Sequence, residues 1–547
     1  MILGRVQHTC PLPDDRRATF AVARCVLACL AALVLPAGQA DAQPLPDAVL
    51  QALQQAQVPA DALGAVVLPA AAGLAGRLGL PRTQWAHQAD RPMQPASTLK
   101  LLTSVVALDQ IGPNVRGFTE LLTRAPQQGD VLAGDLVLRG GANPEFDLPQ
   151  LWAMLLDLRQ AHGIREIAGD VVVDRTLFRP SRPERDAMPF DERPEFAYNL
   201  VPDALQLNSH LLPIEISSDA GPLRARALPP LPGLVIDTSA LRLTDRPCAE
   251  WAADWQSPPP ADASEPGQLR IRLQGGFPRS CTQRPSLFLI DPLALAERQL
   301  RWLWASLGGS WTGQVREAEA PVVPLLTGAQ QAAQQPPVRP GAAVVAPGVQ
   351  RAGPATPGLR LLASHQSRPW GELLRTLNKQ SSNVYSRLLY LQLGLAQAAD
   401  TPELPTRALA DRAVRQWLAA RRIDAPGLVV DNGSGLSRTE RISPRALAQV
   451  LQAAHGSRWA PELLASLPVV GVDGTMRNRL KTGPAAGLAR MKTGTLRNVA
   501  ALAGYVDDPQ GRRHVLVAII NHEQARAGRP ALDALVDWVA RGGPDGR

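Results

Sequence analysis

The order of apolar and polar positions divides the 547-residue chain into stretches of different kind. Gly64 to Pro69 is a short apolar run and predicts a strand. Beyond a polar turn at Asp90 to Pro92 the spacing becomes helical. Leu99, Leu102, Val105 and Val106 share one face, so a helix is predicted from Thr98, with Pro95 fixing its entry. Leu132 to Leu138 and Ile167 to Val173 predict strands, and Leu151 to Leu158 a helix between them. Further helices are predicted over Pro292 to Leu307, Trp370 to Leu377, and Ser382 to Leu395, the last burying Leu388, Leu389 and Leu393. Three strands follow at Arg490 to Thr495, Val499 to Val506 and His514 to Asn521, then an amphipathic helix from Pro530 to Val539. Strands backed by N- and C-terminal helices imply an α+β chain built as an α/β sandwich on an antiparallel sheet.

Other stretches lack such periodicity. Phe178 to Pro285 is rich in Pro and Arg, and Glu317 to Gly358 in Pro, Ala, Gln and Gly, as in a surface insertion or linker. At the N-terminus Arg16, Arg17 and Arg24 precede an apolar run from Cys25 to Leu35, and Ala40-Asp41-Ala42 fits a cleavage signal. This reads as a secretory signal peptide over residues 1–42, the alternative being an uncleaved anchor. The run is short for a stable membrane span, and no second long apolar stretch occurs. Export makes a disulfide between Cys248 and Cys281 the expected state, with two free thiols as the alternative. No metal-ligand spacing is present, and no cofactor motif.

The net charge is +8, but no basic block of the nucleic-acid-binding kind occurs, so a general Arg bias is the preferred reading and no nucleic-acid partner is expected. Lysine is scarce, with Lys100, Lys379, Lys481 and Lys492 among 57 basic residues. Arg stays protonated, whereas Lys can lose its proton when desolvated, so each of these positions is a candidate for chemistry.

Ser97 and Lys100 are spaced i, i+3 at a predicted helix start, which puts the amine within reach of the hydroxyl. A serine hydroxyl is a weak nucleophile until a base takes its proton, and a lysine of depressed pKa is such a base. Ser381 and Asn383, two apart on a turn that opens a helix, suit a proton relay and an amide contact to substrate; the bland alternative is a helix cap. Lys492-Thr493-Gly494-Thr495 lies on a predicted strand. Its Lys and hydroxyls suit a substrate carboxylate, and a backbone N–H there suits an oxyanion hole, the alternative being an edge strand with a protective Lys. Lys481-Thr482-Gly483 spells the same motif, but Pro484 follows it, which is poor for a strand. Ser-x-x-Lys, Ser-x-Asn and Lys-Thr-Gly in this order are the motif set of serine β-lactamases and penicillin-binding proteins.

With these residues in place the chain resembles the D-Ala-D-Ala carboxypeptidase/endopeptidase family, the class C low-molecular-mass penicillin-binding proteins. The stretches Pro95 to Lys100, Asn378 to Asn383, Asp431 to Ser437 and Gly474-Thr475-Met476 look like its extended motifs, and Gly134-Asp135-Leu136 and Gly140 to Pro144 like its inserted-domain signature. Ser382 and Asn143 depart from it, each standing where Asp is common, which bears on substrate preference. The resemblance implies a β-lactamase/transpeptidase-like domain split by insertions. Its first part would be 43–118 and its second 359–547. One inserted domain would comprise 119–179 and 288–325, a second 180–287, and a linker 326–358. It further implies a periplasmic serine peptidase acting on peptidoglycan stem peptides, acylated by β-lactam antibiotics. Ser97 would be the nucleophile, Lys100 its base and Ser381 the relay. Asn383 would contact a substrate amide, and Lys492, Thr493, Gly494 and Thr495 would hold the terminal carboxylate region. A serine β-lactamase and a catalytically silent wall-binding scaffold are the competing expectations.

Overall fold

The computed structural model describes residues 44–71, 84–185, 189–219, 222–263, 267–323, 344–345, 358–398, 401 and 403–545. The predicted signal peptide and nearly all of the predicted linker lie outside these residues.

The catalytic-side body is built on five antiparallel strands: β1 (Leu63–Pro69), β2 (Trp85–His87), β3 (Arg490–Leu496), β4 (Val499–Asp507) and β5 (Arg513–Asn521). Their order is β2-β1-β5-β4-β3, so a strand from early in the chain pairs with one near its end. Side chains alternate across the pleat. Ala65, Val67, Leu502, Leu516 and Ile520 enter one core, under helices α1 (Asp47–Gln55) and α5 (Arg529–Ala540). Val66, Leu68, Ala501, Val517 and Ile519 enter the other, with α2 (Lys100–Gln110), α3 (Asn383–Leu395) and α4 (Pro444–His455). Both faces are covered, so β1, β4 and β5 read as largely apolar runs, and that made them legible in sequence; β3 carries Lys492 and two threonines, and the three-residue β2 was not predicted.

α2 is buried on all sides from Lys100 to Leu108, so the single apolar face read from its sequence understates its burial. It also starts at Lys100 rather than Thr98, because Ala96–Leu99 forms a 3₁₀ turn first. The helices Thr406–Ala420 and Ala460–Ser466, together with α4, complete this layer, and none of the three was predicted.

The first insertion carries a sheet in the order 315–317, 171–174, 136–141, 118–123, 360–366. Helices Leu148–Gln160 and Pro292–Ser306 share a core with it through Leu151, Leu155, Leu300 and Trp304. Two predicted strands are each broken in two. Leu132 ends a short strand, Gly134 at φ 155° turns the chain, and a new strand in another sheet begins at Leu136. Ile167 and Val171 are separated in the same way. Arg360–Gln366 pairs with Phe118–Thr123, so this domain extends past the expected boundary at 359.

The Pro- and Arg-rich region contains strands that its composition hid. Leu212–Ser217 and the first part of Leu269–Pro278 alternate in burial around Ile214, Ile216, Ile271 and Leu273, whereas Leu234–Thr244 is mostly half-buried or exposed. Cys248 and Cys281 are joined as a disulfide within it, closing a separation of 33 residues. Among the described residues no helix is long and apolar enough to cross a membrane.

Candidate active site

The edge strand β3 lies against the turn before α2. A Cβ on Gly494 would fall 2.7 Å from the Pro95 carbonyl oxygen, so glycine permits this approach. A second loop presses on the same turn, where a Cβ on Gly435 would meet the Ala96 carbonyl oxygen at 1.8 Å. Ala96, beside the serine, has φ 46°, and Ser381 has φ 60°. Non-glycine residues seldom hold this region, and strain of this kind concentrates at functional sites.

Three walls meet at Lys100. Its Nζ lies 2.9 Å from Ser97 Oγ, 2.7 Å from Asn383 Oδ1 and 2.6 Å from the Ser434 carbonyl oxygen. The orientation of the Asn383 amide is fixed, because its Nδ2 donates to the Tyr198 carbonyl at 2.8 Å and that carbonyl can only accept. Asn383 Oδ1 and Ser434 O are therefore both pure acceptors toward the amine. A neutral amine has two N–H groups and one lone pair. The two acceptors take the N–H groups, and the lone pair is left facing the Ser97 hydroxyl. Lys100 is fully buried. Burial first, then the positive charge of Lys492, hold its amine well below the usual lysine range; Arg387 adds to this, and Glu440 opposes it.

Ser381 sits on the opposite side. Its Oγ accepts from Lys492 Nζ at 2.8 Å, and the same amine donates to the Thr493 carbonyl at 2.8 Å. Lys492 is also fully buried, and burial lowers its amine to about 7. Thr493 Oγ1 exchanges a hydrogen bond with Thr475 Oγ1 at 2.8 Å, and Thr495 Oγ1 accepts from Arg529 Nη2 at 2.9 Å. Ser382 does not join this group. It caps α3, accepting from the Tyr385 N–H, so the helix-cap role weighed for Ser381 and Asn383 falls to the residue between them. The second Lys-Thr-Gly copy is elsewhere: Lys481 is exposed and in no strand.

The arrangement thus draws together Ser97, Lys100, Ser381, Asn383, Lys492, Thr493, Gly494 and Thr495 from widely separated parts of the chain. Several partners escaped the reading of single residues. Ser434 supplies a backbone oxygen, which no side-chain pattern reports. Its loop is held by Glu440, whose Oε1 accepts the N–H groups of Asp431, Asn432 and Gly433. Tyr198 comes from the second insertion and also acts through its backbone. Arg529 is one arginine in a chain full of them. Near β3, Lys379 pairs with Asp473, tying the end of one helix to the loop that carries Thr475.

Comparison with known proteins gives the family and the fold. The profile of the D-Ala-D-Ala carboxypeptidase 3 (S13) family matches residues 47–335 and 344–542. The chain is 27% identical over 464 residues to a D-alanyl-D-alanine carboxypeptidase of Actinomadura sp. (strain R39), covering 82% of this chain and 76% of that one. It is 25% identical over 439 residues to the D-alanyl-D-alanine carboxypeptidase DacB of Haemophilus influenzae, covering 78% and 80%. In fold it is similar to the crystal structure of penicillin binding protein 4 (dacB) from Haemophilus influenzae. The TM-score is 0.67 at 21% identity, over 90% of this chain and 99% of that one. That protein has also been crystallised in complex with a β-lactam.

Proposed function

The chain belongs to the D-Ala-D-Ala carboxypeptidase 3 (S13) family, and from that membership we propose how its cleft carries out DD-peptidase chemistry. The protein is a serine peptidase, and the observation that carries the assignment is the pairing of Ser97 with a fully buried Lys100 whose other two contacts are acceptors.

Neutral Lys100 takes the proton of the Ser97 hydroxyl as Oγ attacks the carbonyl carbon between two D-alanine residues. The negative charge that develops on the carbonyl oxygen is met by the backbone N–H groups of Ser97 and Thr495. Ser381, held by Lys492, gives its hydroxyl proton to the leaving amine and is reprotonated with the proton Lys100 took from Ser97, so Lys100 is neutral again for the second step. The C–N bond breaks, the terminal D-alanine departs, and an ester on Ser97 remains. Water, deprotonated by Lys100, hydrolyses that ester. Asn383 fixes Lys100 and offers its amide to the peptide. Thr493 and Thr495, with the positive charge of Lys492 and Arg529 behind them, receive the terminal carboxylate.

A β-lactam carries an acyl carbon and a carboxylate in the same relation, so it acylates Ser97 as a mimic. With the predicted leader the site of action is peptidoglycan in the periplasm. Fluorescent penicillin applied to wild type and to Ser97→Ala tests the assignment. Covalent label on the wild type and none on the variant is expected; an unlabelled wild type, or an equally labelled variant, overturns it.

A further inference from the structure

Helix α3 carries Asn383 into the catalytic cleft, and one turn on, at i+4, it carries Arg387 somewhere else. Arg387, Tyr390 and Leu391 form the floor of a cavity of about 600 Å³. One wall comes from the Pro-rich stretch, through Phe178, Pro183, Pro189, Phe190 and Pro202. The other is the loop from Asp431 to Thr439. None of the residues placed in the chemistry of Ser97 lines it.

Its chemistry is mixed in a specific way. Phe178, Phe190, Leu436 and several prolines make the lining mostly apolar. Four arginines, Arg179, Arg387, Arg407 and Arg438, line it together with one aspartate, Asp431. Asp431 is paired with Arg407. The Arg438 guanidinium lies over the Phe190 ring, 5.1 Å from its centre, so its charge is held beside an apolar surface. Arg387 is buried, with 8% of its surface exposed. Its Nη1 donates to the backbone oxygens of Asn199 and Leu200 at 3.0 and 2.6 Å, while Nε has no partner. No carboxylate forms a salt bridge with it among the described residues. The hydroxyl of Tyr390 and the side-chain oxygen of Asn199, in the same lining, are buried without partners as well. Buried polar groups are ordinarily paired, yet the charge of Arg387 is offset only by Glu440 and Asp431 from beyond salt-bridge distance, and its Nε is left over toward an apolar cavity.

We propose that this cavity is a second binding site, for a small organic anion with an aromatic or branched apolar body. Its anionic group is held among Arg387, Arg407 and Arg438, and its body lies against Phe178 and Phe190. The volume suits a ligand of that size. The site is separate from the catalytic cleft yet shares walls with it. The same strap gives the Tyr198 carbonyl to Asn383, and the same loop gives the Ser434 carbonyl to Lys100.

The dye 8-anilino-1-naphthalenesulfonate, an aromatic anion that fluoresces in apolar surroundings, is the probe. It is titrated into the whole protein, both free and after stoichiometric acylation of Ser97 by benzylpenicillin with excess drug removed. The expected result is saturable binding of one dye per chain in both forms. Arg438→Gln and Phe190→Ala each weaken it by about tenfold or more, and the uncharged analogue N-phenyl-1-naphthylamine binds more weakly by a similar factor. Penicillin labelling of each variant at the wild-type level reports that it has folded. Absence of saturable binding overturns the proposal. So does dye binding that acylation abolishes while Arg438→Gln leaves it unchanged, which would place the dye in the catalytic cleft. Equal affinity for the neutral analogue overturns the anion requirement.

Discussion

The side-chain oxygen of Asn383 lies 2.7 Å from the amine of Lys100. The two residues come from parts of the chain 283 positions apart. Their contact, together with that of Ser434, decides which direction the lysine lone pair faces. An arginine at position 100 keeps a positive charge and can still hydrogen-bond, but it has no lone pair to offer at neutral pH. Lys100→Arg is therefore expected to lower the rate of Ser97 acylation by benzylpenicillin by about 10²–10⁴-fold, the usual range for loss of a general base. Stopped-flow or quenched labelling measures it. Acylation within a few-fold of wild type would remove Lys100 from the role of base.

The same contact makes a prediction about pH. The base works when neutral, so acylation falls as pH drops through the Lys100 pKa, which burial holds below the usual lysine range. Asn383→Asp places a carboxylate beside the amine. An opposite charge favours the ammonium form and raises the pKa. The acid limb of the acylation profile should then move to higher pH than in wild type. A limb that stays in place, or moves the other way, means that another group governs it.

How far these residues could be read from sequence depends on what each contributes. The roles proposed for Ser97, Lys100, Ser381, Asn383 and Lys492 are side-chain roles that spaced motifs report, and the two lysines stand out further in a chain that otherwise uses arginine. β4 and β5 were legible because both faces of the sheet are covered and these strands are largely apolar, whereas β3 is an edge strand of mixed polarity. Tyr198 and Ser434 meet the site through backbone carbonyls, which any residue could supply; Tyr198 left no trace, and Ser434 was visible only within the stretch Asp431 to Ser437 of the family resemblance. The strands of the second insertion were hidden because partial exposure and proline weaken the alternation that marks a strand. The helix Thr406–Ala420 has an apolar face at Leu409, Val414, Trp417 and Leu418, a pattern that was present and passed over. The breaks at Gly134 and Gly169 fell inside apolar runs, where periodicity alone continues a strand through the turn.

Arg529 was invisible for another reason, being one arginine among many. It stands at the start of α5 and donates to Thr495 Oγ1 at 2.9 Å. Arg479 nearby is occupied with Asp533. A guanidinium bonded to that threonine is positioned to share a substrate carboxylate with it. Arg529→Gln is expected to reduce kcat/KM for a peptide ending in D-Ala-D-Ala by roughly 10–100-fold, as for a lost charge-assisted hydrogen bond. On the same peptide with a C-terminal amide the variant and wild type should differ little. Equal losses on both substrates would show that Arg529 supports the fold of the strand end instead of reading charge.

Lys492 links the site to stability. Its amine is lowered to about 7 by burial, whereas in an unfolded chain it titrates near ~10.4. Between those values the unfolded state binds more protons than the folded one. Stability therefore rises with pH across this window, and below it both states are protonated and the burial cost is felt in full. Lys100 is shifted in the same direction and contributes with the same sign. Lys492→Met removes one buried amine and keeps an unbranched apolar side chain. Near neutral pH the variant should unfold at higher temperature than wild type, because a charge is no longer buried next to Ser381. As pH is raised toward 10 the wild type should recover, and the gap between the two proteins should narrow. Thermal unfolding of both at several pH values between 7 and 10 measures this. The variant should meanwhile lose acylation of Ser97, since the relay serine no longer has the amine that holds it. A gap independent of pH would mean that Lys492 keeps an ordinary pKa, and its hydrogen bond to Ser381 would then be that of a fully charged ammonium rather than of a group poised to exchange a proton.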